Sequence, residues 1–156
     1  MNPLTCSHLS TPYRWLIRGG DLLQPLLLLL FRLWIANVFF KSGLTKIDDW
    51  DTTILLFTEE YHVPLLPPAV AAALAAAGEL GLSALLALGL GGRFAAAGLF
   101  ILNALAVISY PGLTEATREF HYYWGMLIAV VLAFGPGLLS VDALLRRWAG
   151  RCAARD

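Results

Sequence analysis

The sequence predicts an all-α integral membrane protein: a four-helix bundle with both termini in the cytoplasm and a short outer surface helix between the first two spans. Hydrophobic residues make up 58% of the 156 residues, charged residues make up only 14%, and the mean hydropathy is +0.69. A soluble domain has roughly 45–50% apolar and about 25% charged residues. Because a chain of this size leaves much of its surface exposed, so many apolar side chains cannot all be buried in a soluble globule. The predicted partner is therefore the lipid bilayer. The formal net charge is zero, so the protein does not have the excess of basic residues that is typical of a nucleic-acid binder.

Four apolar runs supply the predicted spans. They cover residues 22–44, 67–90, 93–110 and 122–139. At about 1.5 Å of rise per residue, runs of about 17–24 residues can cross a hydrocarbon layer of ~30 Å. The spans must be helices, because lipid cannot satisfy free backbone groups and the alternation of a barrel strand is absent. The first run begins too late and is too long for a cleaved signal peptide, so we interpret it as a retained span.

The connecting segments predict how the spans are joined. Gly91 and Gly92 connect the second and third runs as a tight hairpin. Apolar and aromatic residues recur at helical spacing over 50–61, which predicts a surface helix ended by Pro64. Residues 138–148 predict a second surface helix. The chain is therefore divided into a cytoplasmic N-terminal segment (1–21), a four-span membrane domain (22–145) and a basic cytoplasmic tail (146–156).

The basic residues predict the orientation of the bundle. Seven arginines fall on one side of the four spans: Arg14, Arg18, Arg93, Arg146, Arg147, Arg151 and Arg155. The other side holds Lys46 and Arg118 together with seven carboxylates. Because cytoplasmic loops carry an excess of Lys and Arg, both termini and the hairpin are predicted to lie in the cytoplasm.

Three polar residues interrupt the runs near their centres: Arg32, Glu79 and Asn103. Each is ten or eleven residues from the predicted inner end of its helix, which corresponds to a depth of ~15–16 Å. A lone charge at the bilayer centre costs at least ~2.5–3.5 kcal/mol on insertion scales. We therefore predict an Arg32–Glu79 ion pair with Asn103 in hydrogen-bond range. Such a pair either fixes the helix register as a structural contact or forms the polar floor of a small cavity.

Lys46 and His121 are candidate ligand-binding residues at the outer ends of spans. Lys46 follows the first span and is either an interfacial anchor or a contact for an anionic ligand. His121 begins the fourth span beside Tyr122, Tyr123 and Trp124. It is either a member of this interfacial aromatic belt or a proton acceptor at the mouth of a quinone-type pocket, since histidine exchanges protons near neutral pH.

Three of the four spans contain short motifs: LFRL at 30–33 and FFKSGLTK at 39–46, GELG at 78–81 and LGLGGR at 88–93, and GPGLLSVD at 135–142. Each motif is weak alone, and their order along the chain makes the pattern more specific. Taken in this order, the motifs resemble the DoxX family.

The resemblance extends over residues 26–145 and implies a four-helix protein of the bacterial inner (plasma) membrane. Members of the family are linked to membrane oxidoreductase assemblies and to redox- or metal-stress systems. The positions implied here are Arg32, Lys46, Glu79 and Arg93. Ser42 is a departure, because many members carry histidine or a similar polar residue there.

Two principal hypotheses for function follow. In the first, the chain is a quinone-linked oxidoreductase or the membrane subunit of one: Arg32 and Glu79 are catalytic, and Asn103, Lys46 and His121 bind substrate. No covalently bound cofactor and no metal site is predicted, so electrons come from a partner redox protein or a small reductant. In the second, the chain is a non-enzymatic scaffold or assembly factor, and the surface helix between the first two spans is its docking surface. A small-solute carrier is a third hypothesis, and would need a homodimer because four spans in one chain are few.

Overall fold

A computed structural model describes the backbone of residues 3–153 and the side chains of residues 13–151. The described residues form six α-helices and contain no strand. Residues 1–2 and 154–156, including the end of the predicted basic tail, lie outside the described part. The prediction of an all-α protein is confirmed for residues 3–153. The helices are α1 (Pro3–Asp48), α2 (Trp50–Glu59), α3 (Pro68–Leu88), α4 (Gly92–Ser109), α5 (Glu115–Phe134) and α6 (Val141–Ala153).

Three helices of the described chain are long and apolar enough to cross a membrane: Tyr13–Asp48 of α1, all of α3 and all of α4. α5 also has 20 residues, but its first two turns contain three charged residues and a histidine. Its apolar part covers residues 122–134. The helix ends there, five residues before the predicted end of this span, because Gly135 and Pro136 break it.

α1 is much longer than the predicted first span. Its 46 residues run through Pro25 without interruption, and at about 1.5 Å per residue they extend ~69 Å. Residues 3–21, the part of the predicted N-terminal segment that the structure describes, are therefore helical. Most described side chains before Leu28 are exposed, whereas α1 packs against other helices from Leu28 onward.

The four long helices share one core. α1 packs against α3 and α5, and α4 packs against the same two helices. Ile35, Leu86, Leu99 and Ile128, one from each helix, are completely buried in this core. α2 packs across α3, where Phe57 belongs to a second, smaller apolar cluster.

Gly43 fixes the register between α1 and α3. A Cβ atom added to Gly43 would lie 2.8 Å from Leu80 Cγ and 3.2 Å from Glu79 Cβ. Only glycine allows the two helices to approach this closely, a feature common where membrane helices pack. The level of Glu79 on α3 is therefore matched to the level of Gly43 on α1.

The "hairpin end" of the assembly comprises the α3–α4 turn and residues 135–142. Gly89 and Gly91 turn the chain there with φ of +67° and +56°. The Asp142 carboxylate accepts hydrogen bonds from the backbone N–H groups of Gly91 (2.9 Å) and Gly92 (3.0 Å). These bonds fasten the start of α6 to the hairpin. α6 begins three residues later than predicted, because residues 135–140 form turns.

The "α2 end" comprises α2, residues 60–67 and residues 110–114. The helix predicted over 50–61 is confirmed as α2, over 50–59. Asp49 caps it by accepting hydrogen bonds from the Thr52 backbone N–H (3.0 Å) and hydroxyl (2.7 Å). The His62 N–H donates to the Ser109 carbonyl at 2.7 Å, which ties the segment after α2 to the end of α4.

Candidate functional site

Lys46 of α1 and Glu79 of α3 form an ion pair near the α2 end. Lys46 Nζ lies 2.8 Å from Glu79 Oε2 and 3.0 Å from Oε1, and it also donates to Ser42 Oγ at 3.0 Å. Ser42 and Lys46 are four residues apart and share one face of α1. The Lys46 and Glu79 side chains are 18% and 12% exposed. The pair is therefore largely shielded by the helices that present it.

The ion pair forms part of the wall of a cavity with a volume of about 230 Å³. Pockets for drug-sized ligands measure about 300–1,000 Å³, so this one suits a smaller molecule of about one substituted ring. Tyr61 and Ser109 contribute the other polar side chains. The remaining wall is apolar: Phe57, Val63, Leu66, Ala71, Leu74, Ala75, Leu102, Leu105 and Ala106.

Ser109 brings an unsatisfied hydroxyl group to this cavity. Its side chain is 1% exposed, and Oγ has no hydrogen-bond partner among the described residues. Leaving a buried hydroxyl unpaired costs about 1–3 kcal/mol. A ligand with a hydrogen-bonding atom next to Ser109 would recover that free energy.

Tyr61 covers the cavity at the α2 end. Its ring stacks on Phe57 and on Tyr110, with ring centroids 4.7 Å and 4.8 Å apart. Burial, and secondly the negative charge of Glu79, raise the pKa of the Tyr61 phenol. Tyr61 is therefore protonated near neutral pH and remains a hydrogen-bond donor.

The predicted Arg32–Glu79 ion pair is wrong. Arg32 is 1% exposed and lies at the hairpin end. Its Nη1 donates to the Pro136 carbonyl at 2.5 Å, and its Nη2 donates to the carbonyls of Leu139 (2.8 Å) and Ala87 (3.5 Å). Arg32 thus joins α1 to the end of α3 and to the segment after α5.

The register of α1 explains this difference. The prediction measured depth from residue 22, but Gly43 is the residue of α1 that opposes Glu79. Arg32 is eleven residues before Gly43, which places it ~16 Å away along the helix. Lys46 is only three residues after Gly43, so it reaches the carboxylate instead.

A protein-family model described as DoxX matches residues 27–112, more than half of the chain. The chain belongs to the DoxX family. The match includes Arg32, Lys46, Glu79 and Arg93, the positions that the motifs imply, and it ends before α5. No curated protein and no solved structure matches the chain.

In this DoxX protein, Asn103 contacts neither Arg32 nor Glu79, so that prediction is also wrong. Asn103 Nδ2 donates to the His121 backbone carbonyl at 2.9 Å, and its Oδ1 lies 2.8 Å from His121 Nδ1. The two hydrogen bonds join α4 to α5. Gly125 leaves room for them, because a Cβ there would lie 3.2 Å from Asn103 Nδ2.

Asn103 and His121 line a shallow groove of about 500 Å³ between α4 and α5, on a different face of α4 from the cavity. The His121 ring also meets the Trp124 ring edge-on, with centroids 4.9 Å apart. The predicted site residues of the DoxX protein are thus divided among three places. Lys46 and Glu79 meet at the cavity, Asn103 and His121 meet at the groove, and Arg32 lies apart from both.

Two cavity residues, Ser109 and Tyr61, do not stand out in the sequence as site residues. Ser109 is a single serine at the end of an apolar run, where no spacing marks it. Tyr61 contributes only to the helical spacing of the segment before it. The sequence feature that does indicate this site is the four-residue spacing of Ser42 and Lys46, which places a hydroxyl and an ammonium on one helix face.

Proposed function

We propose that this DoxX protein binds a quinone in the cavity beside Lys46 and Glu79 and is the quinone-binding membrane subunit of a redox complex. The observation that carries the proposal is a mostly apolar cavity, large enough for one substituted ring, with hydrogen-bond donors on its wall. A quinone is a flat apolar ring whose two carbonyl oxygens only accept hydrogen bonds. Ser109 offers an unpaired hydroxyl, and Lys46 offers an ammonium group that can exchange one of its two bonds to Glu79 for a quinone oxygen.

The proposed setting is a four-span bundle in the bacterial inner membrane, with α5 as the fourth span and both termini in the cytoplasm. In support, α5 packs against α1 and α4. Arg93, Arg146 and Arg147 lie at or just after the hairpin end, and carboxylates cluster on and beside α2. The positive-inside rule then puts the hairpin end in the cytoplasm and the cavity toward the opposite face.

Reduction of a quinone to a quinol adds two electrons and two protons. In this proposal the two electrons come from a partner redox protein and the two protons come from solvent water. Lys46 donates a hydrogen bond to the quinone oxygen in place of one of its two bonds to Glu79, and this bond strengthens as negative charge develops on the oxygen in a water-poor cavity. Glu79 balances the ammonium charge and holds Lys46 at the cavity wall.

The test is binding of decylubiquinone to the purified full-length protein in detergent, measured by calorimetry. Loss of one neutral hydrogen bond predicts about fivefold weaker binding for Ser109→Ala. Glu79→Gln also weakens binding, because the ammonium is no longer held by a carboxylate. Glu59→Gln, on the exposed surface of α2, is the matched control and leaves the affinity unchanged.

A carbonyl-free analogue, decylbenzene, separates quinone recognition from simple apolar partitioning. The proposal is supported if the wild-type protein binds decylbenzene more weakly than decylubiquinone and if this difference is smaller in the Ser109→Ala and Glu79→Gln variants. Equal binding of both compounds to the wild-type protein, or no binding of either, contradicts it.

One observation favours a second candidate function, a non-enzymatic docking scaffold. α2 exposes Trp50 and Leu55 beside the carboxylates of Asp51 and Glu59. Exposed aromatic and apolar residues bordered by charges are typical of protein interfaces. In this function the Lys46–Glu79 pair is purely structural.

Exchanging the two charges distinguishes the candidates. The double variant Lys46→Glu/Glu79→Lys retains an ion pair between α1 and α3. If the pair is purely structural, this variant keeps much of its stability and keeps its association with partner proteins. If the pair binds quinone, the variant loses decylubiquinone binding because the donor has moved to another helix.

A further inference from the structure

A second, larger cavity lies at the hairpin end, opposite the α2 end. Its volume is about 560 Å³, and its walls come from α1, the start of α4, residues 134–138 and the start of α6. None of the residues assigned to quinone binding lines it. Its ligand chemistry can therefore be examined separately from the proposed function.

Two arginines bring positive charge to one side of this cavity. Arg93 of α4 uses Nη2 to donate to the Ala133 carbonyl at 3.1 Å, and its other donors remain available to a ligand. Arg146 of α6 has no hydrogen-bond or ion-pair partner among the described side chains. Asp142 also lines the cavity, but its carboxylate is already bound by two backbone N–H groups of the hairpin. An anion can thus approach both guanidinium groups.

The same cavity has a large apolar wall that remains open to the surroundings. Phe94, Phe134 and Leu138 line it and are 70%, 64% and 60% exposed. Exposing these apolar side chains to water is unfavourable, whereas the acyl chains of a bilayer would cover them. A ligand that fits both walls has an anionic head and apolar chains, as a phospholipid does. Arginine is well suited to phosphate oxygens because its donors form a planar fork.

Asp21 gives the cavity a means of selecting among phospholipids. Asp21 and Gln24 line the α1 wall. A carboxylate disfavours a head group that carries only negative charge, and it accepts hydrogen bonds from a primary ammonium. The geometry points to an aminophospholipid site: the phosphate binds Arg93 and Arg146, and the ammonium binds Asp21. Basic pockets between membrane helices bind the phosphate groups of lipid heads.

The test is native mass spectrometry of the full-length protein with added phosphatidylethanolamine or phosphatidylglycerol. The wild-type protein binds phosphatidylethanolamine more tightly. Arg146→Gln weakens its binding about fivefold, the effect of one arginine near a lipid surface. Arg147→Gln is the matched control, because the neighbouring Arg147 does not line the cavity. Asp21→Asn removes the preference for phosphatidylethanolamine and leaves phosphatidylglycerol bound at least as well.

Three results would overturn this inference. The first is equal phosphatidylethanolamine binding by the Arg146→Gln and Arg147→Gln variants, which would place the lipid elsewhere. The second is unchanged lipid preference in Asp21→Asn. The third is displacement of the lipid by millimolar inorganic phosphate, which would identify a site for free anions. Circular dichroism and gel filtration of each variant verify that it is folded, and decylubiquinone binding does not change in any of them.

Discussion

The Arg32 guanidinium occupies the space that a side chain at Gly89 would need. A Cβ atom on Gly89 would overlap Arg32 Nη1 and would lie 2.6 Å from Ser140 Cβ, and Gly89 also has φ of +67°. The hairpin end therefore depends on glycine at this position for two separate reasons, backbone conformation and space.

The first prediction separates these two reasons. Gly91 has a similar φ of +56° but open space where its side chain would be. Gly91→Ala should cost about 1–2 kcal/mol of unfolding free energy from backbone conformation alone. Gly89→Ala should cost a further ~1–3 kcal/mol because of overpacking. Chemical unfolding of both variants measures the difference, and equal costs would show that Arg32 can move aside freely.

The second prediction concerns the hydrogen bonds of Arg32 itself. Arg32→Met removes the donors to the carbonyls of Pro136, Leu139 and Ala87. Because hydrogen bonds from a charged group contribute about 1.5–3 kcal/mol each, we expect a loss of at least ~3 kcal/mol. Arg147→Gln, an exposed charge, should change stability little. The folded fraction of Arg32→Met should still bind decylubiquinone with wild-type affinity. Weaker binding would mean that Arg32 takes part in ligand binding after all.

The third prediction concerns the coupling between Lys46 and Glu79. Removing either partner alone leaves a shielded charge unpaired, which costs about 3 kcal/mol or more for buried pairs. The double variant Lys46→Met/Glu79→Gln should cost less than the sum of the single variants, since no charge remains unpaired. A double-mutant cycle of unfolding free energies measures this coupling. If the unfolding free energies lost in the two single variants add up to the loss in the double variant, Lys46 and Glu79 have no interaction free energy as a pair.

The fourth prediction concerns pH and the start of α2. Hydrogen bonds from the Thr52 hydroxyl, and then from its backbone N–H, lower the pKa of Asp49 below its ordinary value of 3.8. Because the folded-state pKa is lowered, the contribution of the cap is complete above the ordinary pKa and is lost as the pH falls through the lowered pKa. Hydrogen exchange at the Thr52 amide, corrected for its intrinsic rate, should therefore accelerate below about pH 4.

Asp49→Asn provides the direct comparison for that experiment. Asparagine also caps helices but carries no titrating carboxylate. Its Thr52 amide should keep the same protection across this pH range. Asp51→Asn, in the first turn of α2, should behave as the wild type does. A pH response in Asp49→Asn equal to that of the wild type would assign the effect to another group.

The sequence predicts where the apolar helices lie, because lipid requires helices and apolar runs mark them. It does not predict that α1 continues on the N-terminal side of residue 22. The three qualifying spans, α2 and the glycine hairpin are confirmed. The family is also confirmed, because the motifs around Arg32 and Glu79 lie within the matched residues. The orientation, the fourth span and the quinone remain proposals.

The partners of the polar residues are harder to predict, because they depend on the register between helices. Gly43 sets that register through a contact with Leu80, and sequence spacing within one helix does not reveal which residue of another helix it meets. Gly43, eleven residues after Arg32, lies opposite Glu79, so Lys46, fourteen residues after Arg32, becomes the partner of Glu79. For the same reason Asn103 meets His121 of α5 rather than the charged residues of α1 and α3.

The two hydrogen bonds between Asn103 and His121 also determine the tautomer of the imidazole ring. Because Asn103 Nδ2 donates to the backbone carbonyl, Oδ1 is the atom that faces the ring, and an amide oxygen can only accept. The proton of the neutral ring therefore resides on Nδ1, and Nε2 carries the lone pair. Nitrogen-15 chemical shifts of His121 would report this tautomer directly and give a spectroscopic marker for the packing of α4 against α5.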